Sequence, residues 1–137
     1  MPKVVHTNSK GLVQESGSGV DLQAGLSLGL QTVAAAGGDQ GAATAISAFA
    51  GSVVLVTGAD NSKGVRLPAL ADVPVGHLFM IVNNTTNKTL EVYPATNDKI
   101  APGGDNAGIT VAASSMIICI AADSAQWVGA EPAVIGV

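Results

Sequence analysis

Short apolar runs recur along the middle of the chain, and each one ends at a cluster of Gly, Pro, Asn, Asp or Ser residues. Runs of this length match β-strands, and such clusters end strands and turn the chain. Strands are predicted at residues 53–57, 65–67, 78–82, 89–93, 109–113 and 116–121. So closely spaced a series predicts an all-β fold, and we expect an antiparallel β-sandwich or jelly roll over residues 26–137.

Two of the predicted strands, LFMIV at 78–82 and MIICIA at 116–121, are apolar at every position. Successive side chains of a strand point to opposite faces of its sheet, so both faces of these strands would be apolar. By contrast, TLEVY and ITVAA alternate as strands with one solvated face do. We therefore expect neighbouring elements, an arm or another subunit to cover the outer face of the sheet that holds LFMIV and MIICIA.

The connections are expected to be local. The segment 78–93, LFMIVNNTTNKTLEVY, predicts an antiparallel hairpin whose loop, NTTNK, consists of turn-forming residues. Residues 1–25 are rich in Gly and Ser and poor in apolar side chains, which predicts an extended N-terminal arm that a partner orders. Residues 25–36 alternate enough for one more strand, and residues 41–50 fit either a short helix or a strand.

Composition limits the class of protein. The chain has 137 residues, about one domain, and 12% of them are charged, against about 25% in an average domain. No apolar stretch approaches the roughly 20 residues that span a bilayer, and MPKVVHTNSK lacks the apolar segment of a signal peptide. The net charge of −4, with Lys and Arg scattered singly, disfavours nucleic acid as a partner. We expect synthesis in a cytoplasm and no membrane partner.

The stretch GSVVLVTGADNSKGV at 51–65 resembles the strand and glycine loop that open a dinucleotide-binding fold. Two features argue against that interpretation, and a third argues against a P-loop. Ser62 stands where the middle glycine is needed, Pro68 and Pro74 prevent the helix that should follow, and Lys63 precedes Gly64 instead of following it as in a P-loop. Because no Ser lies in a G-x-S-x-G elbow either, we expect no bound cofactor and no enzymatic activity.

Few side chains have the spacing of metal ligands, and we expect no metal site. His6 and His77 are far apart and have no Cys or Glu at ligand spacing, which disfavours zinc. Two groups of loop residues could bind calcium or simply form solvated turns, and the turn interpretation is favoured: Asp60 with Asn61, and Asp98 with Asp105 and Asn106. The single cysteine, Cys119, and the single tryptophan, Trp127, are predicted to be core residues.

From about residue 30 to 128 the chain resembles short virion proteins of tailed bacteriophages. The matching residues are Gly64-Val65-Arg66-Leu67-Pro68, Gly76, Val82-Asn83, Leu90-Glu91-Val92-Tyr93-Pro94-Ala95, Ile100, Asn106-Ala107 and Trp127. The resemblance implies a β-sandwich or jelly-roll subunit on the outside of a phage particle, with no catalytic residues to transfer.

These observations lead to two hypotheses. The first is a capsid decoration, or cement, protein that forms a homo-oligomer, most simply a trimer, on the major capsid protein of the virion surface. The second is a receptor- or glycan-binding module of a head or tail fibre, for which one Trp, one Tyr and two Phe are a small supply of aromatic rings.

Overall fold

The computed structural model describes residues 4–7, 11–14, 23 and 25–130. In them the chain forms twelve β-strands and one 3-10 helix, Leu70–Asp72. The strands are β1 (Val4–Thr7), β2 (Gly11–Gln14), β3 (Leu30–Ala34), β4 (Thr44–Ala45), β5 (Val53–Thr57), β6 (Gly64–Arg66), β7 (Leu78–Asn83), β8 (Leu90–Tyr93), β9 (Lys99–Ala101), β10 (Ile109–Val111), β11 (Met116–Ala121) and β12 (Gln126–Ala130).

Two sheets enclose the core. One has six strands in the order β3-β5-β7-β11-β12-β9, and the other has four in the order β10-β8-β6-β4. Strands β1 and β2 form an antiparallel hairpin, with Val4 opposite Gln14, which is a separate two-stranded sheet within the described residues. The all-β prediction is confirmed, and a strand occurs at each of the six predicted places.

In the first half of the domain the chain winds in successive turns, each of which contributes to both sheets. From β3 to β8 the chain alternates between the six-stranded and the four-stranded sheet, so β3, β5 and β7 are parallel neighbours, as are β4, β6 and β8. Leu30, Val53 and Met80 lie at one level of the six-stranded sheet. This stacking is similar to that of a β-solenoid, in which each turn of chain adds one strand to each sheet.

The second half closes the sheets differently. Strand β11 pairs antiparallel with β7 and β12, and β10 pairs antiparallel with β8, whereas β9 runs parallel to β12. The sheets are therefore mixed, and the prediction of an antiparallel β-sandwich or jelly roll was wrong in its strand pairing. The reason is that most connections cross from one sheet to the other instead of returning beside the strand just made.

The predicted hairpin over residues 78–93 was wrong for the same reason, because β7 and β8 lie in different sheets. Asn83, at the end of β7, points into the core, and its amide Nδ2 donates to the carbonyl oxygens of Lys88, Val111 and Ala112 at 2.8, 3.3 and 3.0 Å. These bonds tie the end of β7 to the loop and to the end of β10. The chain is thereby held on a path across the core.

The core lies between the inner faces of the two sheets and is built mainly from aliphatic side chains. The largest fully buried side chains are Trp127, Phe79, Leu67, Ile81, Leu90, Ile100 and Ile117. Burying each such side chain contributes about 1.5–3 kcal/mol. The core predictions for Trp127 and Cys119 are confirmed, since both side chains are fully buried.

Most of the predicted arm over residues 1–25 lies outside the described residues, as does the tail 131–137. The segment 25–36 contains β3, and the segment 41–50 contains the two-residue strand β4 and no helix. No helix in the described part of the chain is long and apolar enough to cross a membrane.

Candidate functional site

The outer face of the six-stranded sheet is the most unusual surface of the domain. On β5, β7 and β11 alternate side chains are buried, so the residues between them point away from the core. We call this surface the apolar face. Its members are Leu30, Val53, Leu55, Leu78, Met80, Val82, Met116, Ile118, Ile120 and Val128.

The register of the strands arranges these side chains in rows. One row crosses five strands: Leu30, Val53, Met80, Ile118 and Ala130. A second row contains Leu55, Val82 and Met116, and a third contains Leu78, Ile120 and Val128. None of the three rows carries a charge, and Lys99 on β9 lies at the border.

Nothing in the described part of the chain covers the apolar face fully. Leu30 on the edge strand β3 is 60% exposed, and Val128 and Ile120 are 43% and 40% exposed. The other seven members are half-buried. A contiguous apolar surface of this kind marks an interaction site in a soluble protein. The strands LFMIV and MIICIA do have two apolar faces, one of which packs in the core. That neighbouring elements, an arm or another subunit cover the outer face stays a prediction.

The outer face of the four-stranded sheet is different. We call it the polar face, and it carries Arg66, Glu91, Tyr93 and Thr110. The hydroxyl of Thr110 donates to Glu91 Oε1 at 2.5 Å, and Arg66 Nη1 donates to the carbonyl of Gln40 at 3.2 Å. Its side chains thus bond to one another and to the backbone, as on an ordinary solvated surface.

Tyr93 lies across two glycines on this polar face. A Cβ at Gly64 would stand 2.7 Å from Tyr93 Cε2, and one at Gly108 would stand 2.8 Å from Cε1. The ring can rest on the sheet only because both neighbours lack side chains. Desolvation raises the pKa of the Tyr93 hydroxyl, and the Glu91 and Asp39 carboxylates add to the rise.

Two surface depressions adjoin the first winding turn of the chain. A groove of about 510 Å³ runs beside β4 and is lined by Ala45, Ile46, Arg66, Leu67, Pro68 and Asp72. A smaller one, of about 300 Å³, lies between Phe49, His77 and Gly29. The His77 ring packs edge-on against Phe49 and Phe79, with centroids 5.8 and 4.9 Å apart, so its neighbours are those of a packed ring.

The loop of the GADNSKG segment is built by turn chemistry. Asp60 accepts hydrogen bonds from the Ser62 amide and hydroxyl at 3.2 and 2.9 Å and pairs with Lys63 at 3.1 Å, contacts that lower its pKa. Asn61 adopts φ of 75° and accepts the Thr89 amide at 2.9 Å. The turn predicted at Asp60 and Asn61 is present, and Gly58, with φ of 71°, opens it.

The second candidate calcium group is also occupied by internal bonds. Asp98 Oδ2 accepts the Leu70 amide at 2.9 Å, and Asn106 Oδ1 accepts the Asn97 amide at 2.8 Å. Within the residues that the structure describes, no group of three or more His, Cys, Asp or Glu side chains could hold a metal ion. His6 lies on β1, where only the backbone is described.

Cys119 is not placed for chemistry. It lies in β11 on the side that faces the core, and burial raises its pKa to about 12. A thiol that stays protonated at neutral pH is a poor nucleophile.

Sequence reasoning missed two structural features. Asn83 follows an apolar run, and Asn in that place is ordinarily a turn residue, so its burial had no signal. The glycines beneath Tyr93 are far from it in sequence, and only the strand register brings them together.

Compared with family models, curated proteins and solved structures, the chain matches none. The resemblance to phage virion proteins therefore stays a prediction, and the apolar face is the observation from which function must be argued.

Proposed function

We propose that this chain is a structural virion protein, a capsid decoration protein that binds the outside of an assembled phage head as a homo-oligomer, most simply a trimer. The proposal rests on the uncovered apolar face, together with the resemblance of residues 30–128 to virion proteins. Two sheets around one core are the architecture we expect of such a subunit, whether the strands are antiparallel or mixed.

The apolar face supports an assembly role because of its energetics. Removing apolar surface from water contributes about 25 cal/mol per Å², and its three rows contain no charge whose desolvation would oppose burial. Interfaces of permanent assemblies resemble a domain core that has been cut in half. A face of Val, Leu, Ile and Met in register fits that description, whereas a catalytic cleft requires convergent polar groups.

Stabilisation of the shell would follow from mass action. A protein that binds the closed shell and not its loosened subunits stabilises the shell by RT ln(1 + [L]/Kd), about 2.7 kcal/mol per site when the free concentration is a hundred times Kd. No covalent step is needed. The effect depends only on the difference in affinity between the two states of the capsid.

Binding to particles tests the proposal. Purified protein is mixed with heads that lack it and sedimented, and the particles are imaged by electron microscopy. We expect saturable binding at symmetric positions on the head surface and no co-sedimentation with disassembled capsid protein. Exclusive attachment to the tail, or no attachment, would overturn the proposal.

A receptor- or glycan-binding module is the second candidate, and Tyr93 is the observation that favours it. A ring resting across Gly64 and Gly108 keeps one face toward the sheet, and Glu91, Thr110 and Arg66 supply polar groups nearby. Sugars stack on such aromatic faces while their hydroxyls bond to neighbouring polar groups. Glycan-array binding that Tyr93→Ala abolishes and Tyr93→Phe retains would promote this candidate over the first.

A further inference from the structure

The two main sheets have four edge strands, and three of them are protected against pairing with another chain. Strand β4 has two residues and β10 has three, lengths that offer little to a partner strand. Strand β9 has three residues, begins with Lys99, and is followed by Pro102. Short strands, lysine and proline are the devices by which sheet edges avoid association.

Strand β3 has none of these devices. It has five residues, LQTVA, with no charge and no proline, and its side chains at Leu30, Thr32 and Ala34 are exposed. Its other edge pairs in regular parallel register with β5. Within the described residues, β3 is therefore the longest edge strand and the only unprotected one.

Among the described residues the edge of β3 that faces away from β5 pairs with no strand, and we call it the free edge. The carbonyl of Gly29 and the amide of Ala35 are bonded to β5, at 3.0 and 2.8 Å. Bonding alternates along a strand, so the N–H and C=O groups of Leu30, Thr32 and Ala34 point away from β5. The side chain of Gln31 points inward instead and binds the backbone of Ser47 and Gly51, which fixes the strand in place.

The β1–β2 hairpin has no third strand among the described residues. A two-stranded hairpin alone is at most marginally stable in water, and a third strand stabilises it. In the single chain the hairpin forms no ladder with β3 among the described residues. The fifteen residues 15–29 that separate β2 from β3 can extend about 50 Å, while a six-stranded sheet is about 24 Å wide. The hairpin can therefore reach a neighbouring molecule.

We propose that the β1–β2 hairpin of one copy adds to the free edge of β3 in a second copy, extending its six-stranded sheet. The contact joins two different surfaces, and such a contact builds a ring, a trimer for example, when its rotation closes and an open filament when it does not. The homo-oligomer proposed above requires the closed ring. This inference rests on the homo-oligomer of the proposed function and names the strands that would build it.

Cross-linking between introduced cysteines tests the contact directly. Because Cys119 is buried, a maleimide should react only with cysteines introduced at Thr32 and Leu12. The Thr32→Cys/Leu12→Cys double variant, treated with a short bis-maleimide, should give a ladder of covalent oligomers that ends at the closed ring. Each single variant should give none. An Ala34→Cys/Leu12→Cys variant provides a second reporter at the next outward position of β3.

Three results would overturn the inference. Dimers from Thr32→Cys alone would mean that β3 pairs with β3, a product at monomer mass would mean that the hairpin folds back on its own chain, and no product would mean no contact. An oligomer that binds heads without cross-linking would contradict the hairpin contact alone. Cross-linked rings that do not bind phage heads would contradict the decoration function alone.

A backbone variant gives an independent readout in the full chain. Thr32→Pro removes an outward N–H that forms no bond within the sheet, so the domain should keep its fold. The concentration at which the oligomer dissociates should rise at least tenfold in sedimentation analysis, and Thr32→Val should leave it unchanged. An unchanged oligomer in Thr32→Pro would overturn the inference.

Discussion

At the scale of single residues, Asn83 shows how one side chain sets the path of the chain. It is the only fully buried polar side chain in the described core. The hydrogen bonds of its side-chain amide join β7, the loop after it and the end of β10. Asn83→Ala should lower the free energy of unfolding by about 2–3 kcal/mol, because the Ala112 carbonyl and the buried Val111 carbonyl lose the donor that Asn83 supplies.

Chemical denaturation measures this effect. Asn83→Asp should be worse than Asn83→Ala, since a buried carboxylate cannot donate to carbonyl oxygens. The matched control is Asn84→Ala at the exposed neighbour, which should change stability by less than about 0.5 kcal/mol. Equal losses at both positions would contradict the role given to Asn83.

Gly64 is required for a different reason, the closeness of its neighbours. A Cβ there would lie 2.8 Å from the Glu91 carbonyl oxygen as well as 2.7 Å from the Tyr93 ring, and the carbonyl cannot move without shifting β8. Gly64→Ala should cost about 1–3 kcal/mol in thermal or urea unfolding. Gly104→Ala, where a Cβ meets nothing within 4 Å, is the control and should be close to neutral.

Cys119 makes stability depend on alkaline pH. Its folded pKa is raised to about 12 from 9.0, so below pH 9 both the folded and unfolded states keep the proton. Above pH 9 the unfolded state alone releases it, and stability falls by about 1.4 kcal/mol per pH unit from this group.

Urea unfolding at pH 8 and pH 10.5 isolates the contribution of Cys119. The wild-type protein should lose about 2 kcal/mol more than Cys119→Ala over this interval. The native thiol should also resist alkylation at pH 8. Equal pH dependence in the two proteins would show that the thiol titrates normally.

At the scale of strands, the order of apolar and turn residues was enough to place β5, β6, β7, β8, β10 and β11. These positions are encoded locally, because each strand is marked by its own side chains and by the turn that ends it. The pairing of these strands could not be predicted, since it depends on whether each loop returns or crosses. A contact such as that of Asn83 with Ala112 decides this, and no local pattern encodes it.

The apolar face was predictable for the same local reason. Runs with no polar position, such as residues 78–82 and 116–121, have two apolar faces whatever their neighbours are. The sequence therefore predicts an apolar outer face that neighbouring elements, an arm or another subunit should cover. What could not be predicted was its extent. The rows reach Leu30 and Val128 only through the register of β3, β5 and β12 with the central strands.

A charge on the apolar face separates assembly from folding. Ile120 is 40% exposed, so Ile120→Lys should leave the unfolding temperature of the monomer nearly unchanged while the ammonium stays in water. Oligomer formation or head binding should weaken at least tenfold, because that charge would have to be desolvated in the interface. Thr110→Lys, an exposed strand position on the polar face, is the matched control and should bind normally.

For the molecule as a whole, the outer faces of the two sheets differ in polarity. The four-stranded sheet carries polar side chains that bond to one another, while the six-stranded sheet presents aliphatic rows and the free edge of β3. With so few charges, such a domain is expected to exist in an assembly, which agrees with the proposed decoration role.

Heating of particles shows whether the protein stabilises the phage head. Heads with and without the protein are heated, and genome release is followed with a DNA dye. We expect a higher release temperature for heads that carry the wild-type protein, with the gain restored by adding purified protein back and absent with Ile120→Lys. Equal release temperatures for decorated and bare heads would contradict this stabilisation.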